Sequence, residues 1–226
     1  MIGMDTAVLI FGAFVVFVVV LMAILIPLSI RAERRRVAGL AQWAAANGWT
    51  MTKNGRADWT GRMPGRNKRG LTVNLTGQLD GRRVTVADYH YTTRSTSRMS
   101  TSSSSSSTTT HYYIAIVVHL DRAHPPVAVV PRGVFSQLGR SLFGDKPTAT
   151  GNPDFDSRFR IASPDPAYAR WLVGPPLIAA HLACALPHWN LAGHDLLTFR
   201  TGRLPDPKSI PALATPLLQV ANLLPR

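Results

Sequence analysis

LTVNLTGQLDGRRVTVADYHY, residues 71–91, decides the fold. Leu71, Val73, Leu75 and Leu79 alternate with Thr72, Asn74, Thr76 and Gln78, the period-two signature of a half-buried strand. Asp80-Gly81 follows, a dipeptide suited to a two-residue type I′ turn. A two-residue loop sets Leu79 opposite Arg82, Gly77 opposite Val84, Leu75 opposite Val86, Val73 opposite Asp88 and Leu71 opposite His90. The apolar face of one strand then meets the apolar face of the next, so pattern and register agree.

Downstream, residues 92–110 are almost entirely Ser and Thr. Such a tract cannot bury apolar area, so a disordered hairpin tip is expected there. A strand resumes at His111, with Tyr112, Ile114, Ile116, Val118 and Leu120 on one face, and Pro125-Pro126 is expected to end it. Residues 127–130 read as a further short strand, and 134–142 as a short helix. Phe155, Phe159 and Ile161 alternate as a strand. Asp165 caps a helix opened by Pro166, and Gly174-Pro175-Pro176 interrupts it before 177–186. Residues 189–191 and 196–199 suggest a hairpin about Gly193, and 210–224 a last apolar helix. Strands come first and helices mostly later, which predicts an α+β fold with an antiparallel sheet.

Upstream lies AVLIFGAFVVFVVVLMAILIPLSI, residues 7–30, without a charge. About 24 residues make a helix of roughly 36 Å, enough to cross a hydrocarbon core of about 30 Å with some tilt. A cleaved signal peptide would need a basic start and a shorter apolar run. Here the flank MIGMDT holds Asp5 and no Lys or Arg. Arg31, Arg34, Arg35 and Arg36 follow the span, opposed only by Glu33. By the positive-inside rule the chain is expected to be a single-pass protein of the cell membrane, N-terminus outside and C-terminal domain cytoplasmic. The expected organisation is a short extracytoplasmic N-terminus (1–6), the transmembrane helix (7–30), a basic exit and juxtamembrane helix (31–47), and a soluble α+β domain (48–226). Asn47-Gly48 should stop the juxtamembrane helix, and Trp43 should pack into the core.

The chain carries 25 Lys and Arg against 12 Asp and Glu, a formal charge of +13. Beside a membrane, such charge points to anionic headgroups, with Arg31, Arg34, Arg35, Arg36, Arg56, Arg62, Arg66, Lys68 and Arg69 as the contacts. Nucleic acid is the weaker reading, because no RNA-recognition signature accompanies the tyrosines. A genome-wide preference for Arg is the non-functional one.

Little chemistry is written in the chain. A single cysteine, Cys184, excludes an internal disulfide and reads as a small core residue. The seven histidines lack metal-site spacing, and no nucleophile elbow or phosphate loop is present. No metal, cofactor or catalysis is expected. Asp88, His90 and Tyr112 form the one candidate polar cluster: a carboxylate on an apolar face needs a partner, and Tyr112 lies on the next strand.

The layout resembles uncharacterised single-span membrane proteins of GC-rich, actinobacterial-type genomes. The resemblance rests on the anchor with its basic exit, Gly48-Trp49, the G-x-x-x-G-R segment at 77–82, and Asp88-Tyr89-His90-Tyr91. The Ser/Thr tract, the F-D-x-R-F segment at 155–159 and the Pro-capped helix complete it. It implies membrane location and nothing about activity. The resulting expectation is a membrane-anchored binding or scaffolding module with an unknown protein partner. Its alternatives are an extracytoplasmic envelope-associated protein and an enzyme with a site near Asp88 and His90.

Overall fold

The computed structural model describes residues 2–98, 104–132 and 148–225. The short helix expected at 134–142 lies outside them. Among these residues five helices (α1 Ile2–Ala46, α2 Pro153–Arg158, α3 Pro166–Leu172, α4 Pro175–Leu182, α5 Ile210–Leu223) accompany six strands. The strands are β1 (Thr50–Lys53), β2 (Leu71–Leu79), β3 (Arg82–Arg98), β4 (Ser104–Pro131), β5 (Phe159–Ala162) and β6 (Trp189–Thr201). All pair antiparallel in the order β1-β2-β3-β4-β5, with β6 also on β4. The fold is α+β, as the strand-then-helix order predicts.

Asp80 and Gly81 both take positive φ, 49° and 73°, as a type I′ turn requires. The pairing of Leu79 with Arg82, Gly77 with Val84, Leu75 with Val86 and Val73 with Asp88 follows. At Leu71 the register slips: Leu71 faces Tyr89, not His90. One extra residue on β2 at Thr72 makes a bulge, which turns Leu71 to the opposite face from Val73. The sheet therefore has two buried faces. Val73, Leu75, Val86 and Ile116 pack under α1, α3, α4 and α5. Leu71, Ala87, Tyr89 and Val117 pack under Trp59 and Met63.

That second cover comes from the Gly- and Arg-rich segment between β1 and β2, which forms two 3-10 turns, Asp58–Arg62 and Pro64–Arg66. Its two large apolar side chains are what a solvated loop would not need.

Other elements depart from the sequence reading for local reasons. Phe155 lies on α2, because Asn152 caps that helix through Phe155 N (3.0 Å) and Pro153 opens it. β4 continues through Pro125-Pro126, and β6 is one strand, not a hairpin. Both bend where His124 meets Gly193 (φ 58°) between register shifts. Cys184 is exposed, not a core residue, at the end of α4 with φ 56°. Over 92–98 and 104–110 the backbone is paired, from Thr92↔Thr110 to Arg98↔Ser104, where composition predicts disorder.

α1 is one continuous helix from the apolar span into the domain, and the one helix among the described residues long and apolar enough to cross a membrane. Its span side chains described from Val16 onward are almost all exposed, whereas Leu40 and Ala44 are buried in the core. Gly48 (φ 71°) ends it, with Trp49 N donating to Ala44 O (2.8 Å). Trp49 then lies over Gly77, where no β-carbon fits, and against the half-buried Trp43 (5.5 Å).

His181 is fully buried against Phe155 and Phe159 and accepts a hydrogen bond from Trp189 Nε1 (3.0 Å). Burial lowers its pKa to about 4, so it folds neutral. Above pH 6.5 neither state binds the proton; below it the unfolded chain does, and stability falls by up to about 1.4 kcal/mol per pH unit until pH reaches about 4. Chemical denaturation in nonionic micelles should show His181→Gln losing less stability than the parent between pH 7 and 5.5, by on the order of 1 kcal/mol. Identical pH dependence would contradict this.

Candidate functional site

Asp88 sits on the core face of β3, 3% exposed. Its partner is not Tyr112. Arg36 Nη1 donates to Asp88 Oδ2 at 2.7 Å, and Leu204 N donates to Oδ1 at 2.8 Å. Arg36 also donates to Leu204 O (2.7 Å) and grips Glu33 through two nitrogens (2.8 and 3.1 Å). Arg203 Nη2 reaches the same Glu33 (2.7 Å) while its guanidinium lies over the Tyr112 ring, 5.0 Å from the centroid. The cluster thus joins α1, β3, β4 and the segment after β6.

The electrostatics are mutual. Burial works against the Arg36 charge, but the bonds to Glu33 and Asp88 outweigh it and raise its pKa above the ordinary arginine value. The bond from Arg36 in turn holds the Glu33 carboxyl below its usual range. His90 and Tyr112 pair directly across the strands, rings 6.2 Å apart, on the face that carries Asp88. The three predicted residues do share one face. Asp88 itself is bonded to a guanidinium and an amide, a clamp that ties α1 and the segment after β6 to the sheet.

Two of the predicted lipid contacts, Arg36 and Arg62, are instead engaged within the domain. Arg36 turns inward onto Asp88. Arg62 is only 12% exposed and donates to Asn190 Oδ1 (2.8 Å) and Asp195 O (2.9 Å). Burial lowers its pKa to about 10. Arg31, Arg34, Arg35, Arg56, Arg66, Lys68 and Arg69 are exposed.

Register brings several of these cations together. Going from Trp49 on Gly77 to Arg36 on Asp88, and then to Glu33 linked through Arg203 to Tyr112, α1 climbs toward its span alongside β3. The end of the sheet at His90 and Tyr112 is therefore the end nearest the apolar span. The loop before β2 arrives there too. Tyr89 Oη donates to Pro64 O (2.7 Å) and accepts from Asn67 N (2.7 Å), Gly65 lies on the Tyr91 ring, and Gly70 O accepts from His90 N (2.8 Å). These contacts set Arg66, Lys68 and Arg69 at the same end as Arg31, Arg34 and Arg35.

Sequence reasoning missed a second polar network. Thr85 Oγ1 bonds Thr76 Oγ1 (3.0 Å) and His119 Nε2 (2.9 Å), and His119 Nδ1 bonds Asp195 Oδ1 (2.8 Å). Burial opposes the Asp195 charge, but the His119 bond and the Arg62 charge prevail and lower its pKa. Hydroxyl, imidazole and carboxylate stand in the order of a nucleophilic triad. Yet Thr85 is 3% exposed and shares its hydroxyl with Thr76, so it is not presented to a substrate. Three Thr/His/Asp positions on different strands give no sequence spacing from which to foresee this. Among the described residues no three His, Cys, Asp or Glu side chains converge as a metal site. An open depression of about 490 Å³ between Arg82, Asp121, Arg122 and Leu224 lies at the opposite end of the sheet.

No family model matches the chain, and no characterised protein matches it by sequence. Among solved structures it is similar to the crystal structure of the mycobacterial trehalose monomycolate transport factor A, TtfA. The match is 12% identical, covers 82% of this chain and 90% of that one, and has a TM-score of 0.46. At that level the likeness assigns no activity, ligand or partner.

Removing one member of a buried, hydrogen-bonded ion pair leaves the other uncompensated. Asp88→Asn should therefore lower unfolding stability by about 2–4 kcal/mol, and Arg36→Met by a similar amount. Denaturant titration of the full chain in micelles measures both; a loss below about 0.5 kcal/mol, within the range of ordinary surface substitutions, would show that the pair does not hold the helix to the sheet.

Proposed function

We propose that this chain is a membrane-anchored binding or scaffolding module whose domain rests on the cytoplasmic face of the cell membrane, its basic end against anionic headgroups. The observation that carries the reading is the gathering of Arg31, Arg34, Arg35, Arg66, Lys68 and Arg69 at the end of the domain from which the apolar span leaves. From Arg36 to the last span residue, Ile30, is about 9 Å of helix. Screening at physiological salt acts over about 8 Å, so cations at this end act on the membrane surface where those at the far end do not. Each near-surface Lys or Arg is worth roughly 1 kcal/mol toward an anionic leaflet. Arg56 lies on the same loop and joins the contact. The cytoplasmic placement is supported by the four arginines after the span and Asp5 before it. A binding role is favoured over catalysis because the candidate carboxylate, Asp88, is engaged by Arg36.

A fragment of residues 31–226, which keeps the clamp, tests the headgroup contact once circular dichroism shows it folded. It should bind anionic vesicles over neutral ones, weaken as salt rises, and lose most of that preference when Arg66, Lys68 and Arg69 become Gln. Equal binding to both lipids defeats the idea. Tighter binding to nucleic acid than to anionic vesicles at matched salt would transfer the charge to the nucleic-acid reading.

Orientation has its own test. With Cys184→Gly and Lys53→Cys, a membrane-impermeant maleimide should label the protein only after cell lysis. Labelling of intact cells would place the domain outside.

A further inference from the structure

Beyond Tyr91 the sheet narrows to two strands. β2 begins at Leu71, opposite Tyr89, and β6 ends at Thr201, opposite Tyr113. Among the described residues β3 and β4 alone continue, paired from Thr92↔Thr110 to Arg98↔Ser104. This ribbon contains only Ser, Thr and two Arg among its described residues. A two-stranded ribbon with no apolar face is at best marginally stable in water.

Its starting level is set by the clamp. Glu33 of α1 stands level with Tyr112 through Arg203, so the ribbon leaves the sheet at the end nearest the apolar span. The lengths available to them differ. The ribbon extends eight residues from His90 to Arg98, about 26 Å at about 3.3 Å per residue. The helix has only three residues from Glu33 to the apolar Ile30, about 5 Å. An upright ribbon would pass well into the bilayer. That is forbidden, because no described strand pairs with its outer edges and its side chains are hydroxyls and guanidinium, none of which hydrocarbon can satisfy.

We infer that the ribbon of residues 92–98 and 104–110 lies along the membrane surface, in the headgroup layer of the bilayer that α1 crosses. Headgroup oxygens and interfacial water take up its free backbone edges and the exposed hydroxyls of Ser106, Ser107, Thr108 and Thr109. Arg94, exposed and paired across from Thr108, supplies a cation for lipid phosphate. The Ser/Thr tract is then an outrigger that lengthens the membrane footprint begun by the basic end. The inference rests on α1 being the anchor proposed above, but not on the lipid preference of Arg66, Lys68 and Arg69.

Depth-dependent fluorescence quenching tests it on the full chain in nanodiscs. In a Cys184→Gly background, single cysteines at Thr108, Thr110, Asp121 and Ile24 carry a bimane label. The discs contain nitroxide either on the headgroup or at mid-acyl chain. Labels at Thr108→Cys and Thr110→Cys should be quenched several-fold more by headgroup nitroxide than the label at the far-end Asp121→Cys, and more than by mid-chain nitroxide. Ile24→Cys should show the reverse depth preference. Quenching at Thr108→Cys and Thr110→Cys no greater than at Asp121→Cys overturns the inference alone, provided Ile24→Cys lies deep. Mid-chain quenching exceeding headgroup quenching at the ribbon also overturns it. A shallow or unquenched Ile24→Cys overturns the anchor and the inference together.

Discussion

A guanidinium on the long apolar helix α1 bonded to a carboxylate on the buried face of the sheet is the contact that organises the domain. Arg36 reaches Asp88 across 52 residues of sequence, and both also bind the backbone of Leu204. Asp88 could not remain in an apolar face without such a partner. Arg36 could not point inward from the exposed side of α1 without such an acceptor. Their bond fixes the rotation of α1 about its axis. Arg31, Arg34 and Arg35 remain exposed as a result, while Leu40 and Ala44 enter the core.

From that constraint the placement of the charged end of the domain beside the apolar span follows in steps. A continuous helix transmits the direction of the span into the domain, because no break separates Ile30 from Ala46. The clamp, with Arg203 between Glu33 and Tyr112, sets which end of the sheet faces the span. The bulge at Thr72 then puts Leu71 and Tyr89 on the second face, where the Trp59 and Met63 cover can pack. That cover is what carries Arg66, Lys68 and Arg69 to the same end. One register irregularity thus links the core to the charged surface.

The legible parts of the chain were those governed by local chemistry. The Asp80-Gly81 turn, the Asp165 cap (3.0 Å to both Ala167 N and Tyr168 N) and the Gly48 stop each depend on residues within a few positions. Asp88 announced that it needed a partner, but not which one, since ion pairs distant in sequence leave no spacing to read. The Thr72 bulge has no turn residue to mark it. Pro125-Pro126 and Gly193 read as chain breaks, yet placed opposite each other they let two long strands bend together. The Arg-rich loop hid two apolar anchors among eye-catching charges, and Arg62 spends its charge on Asn190 and Asp195 rather than on a surface.

Through the Arg36–Asp88 bond, the apolar helix and the domain should move as one rigid piece of fixed orientation. Pulsed electron resonance between spin labels at Leu28→Cys and Lys53→Cys, in a Cys184→Gly chain reconstituted in nanodiscs, tests it most directly. A single narrow distance distribution is expected, broadening when Asp88 is replaced by Asn. A broad or multimodal distribution in the parent chain, unchanged by that replacement, would contradict it.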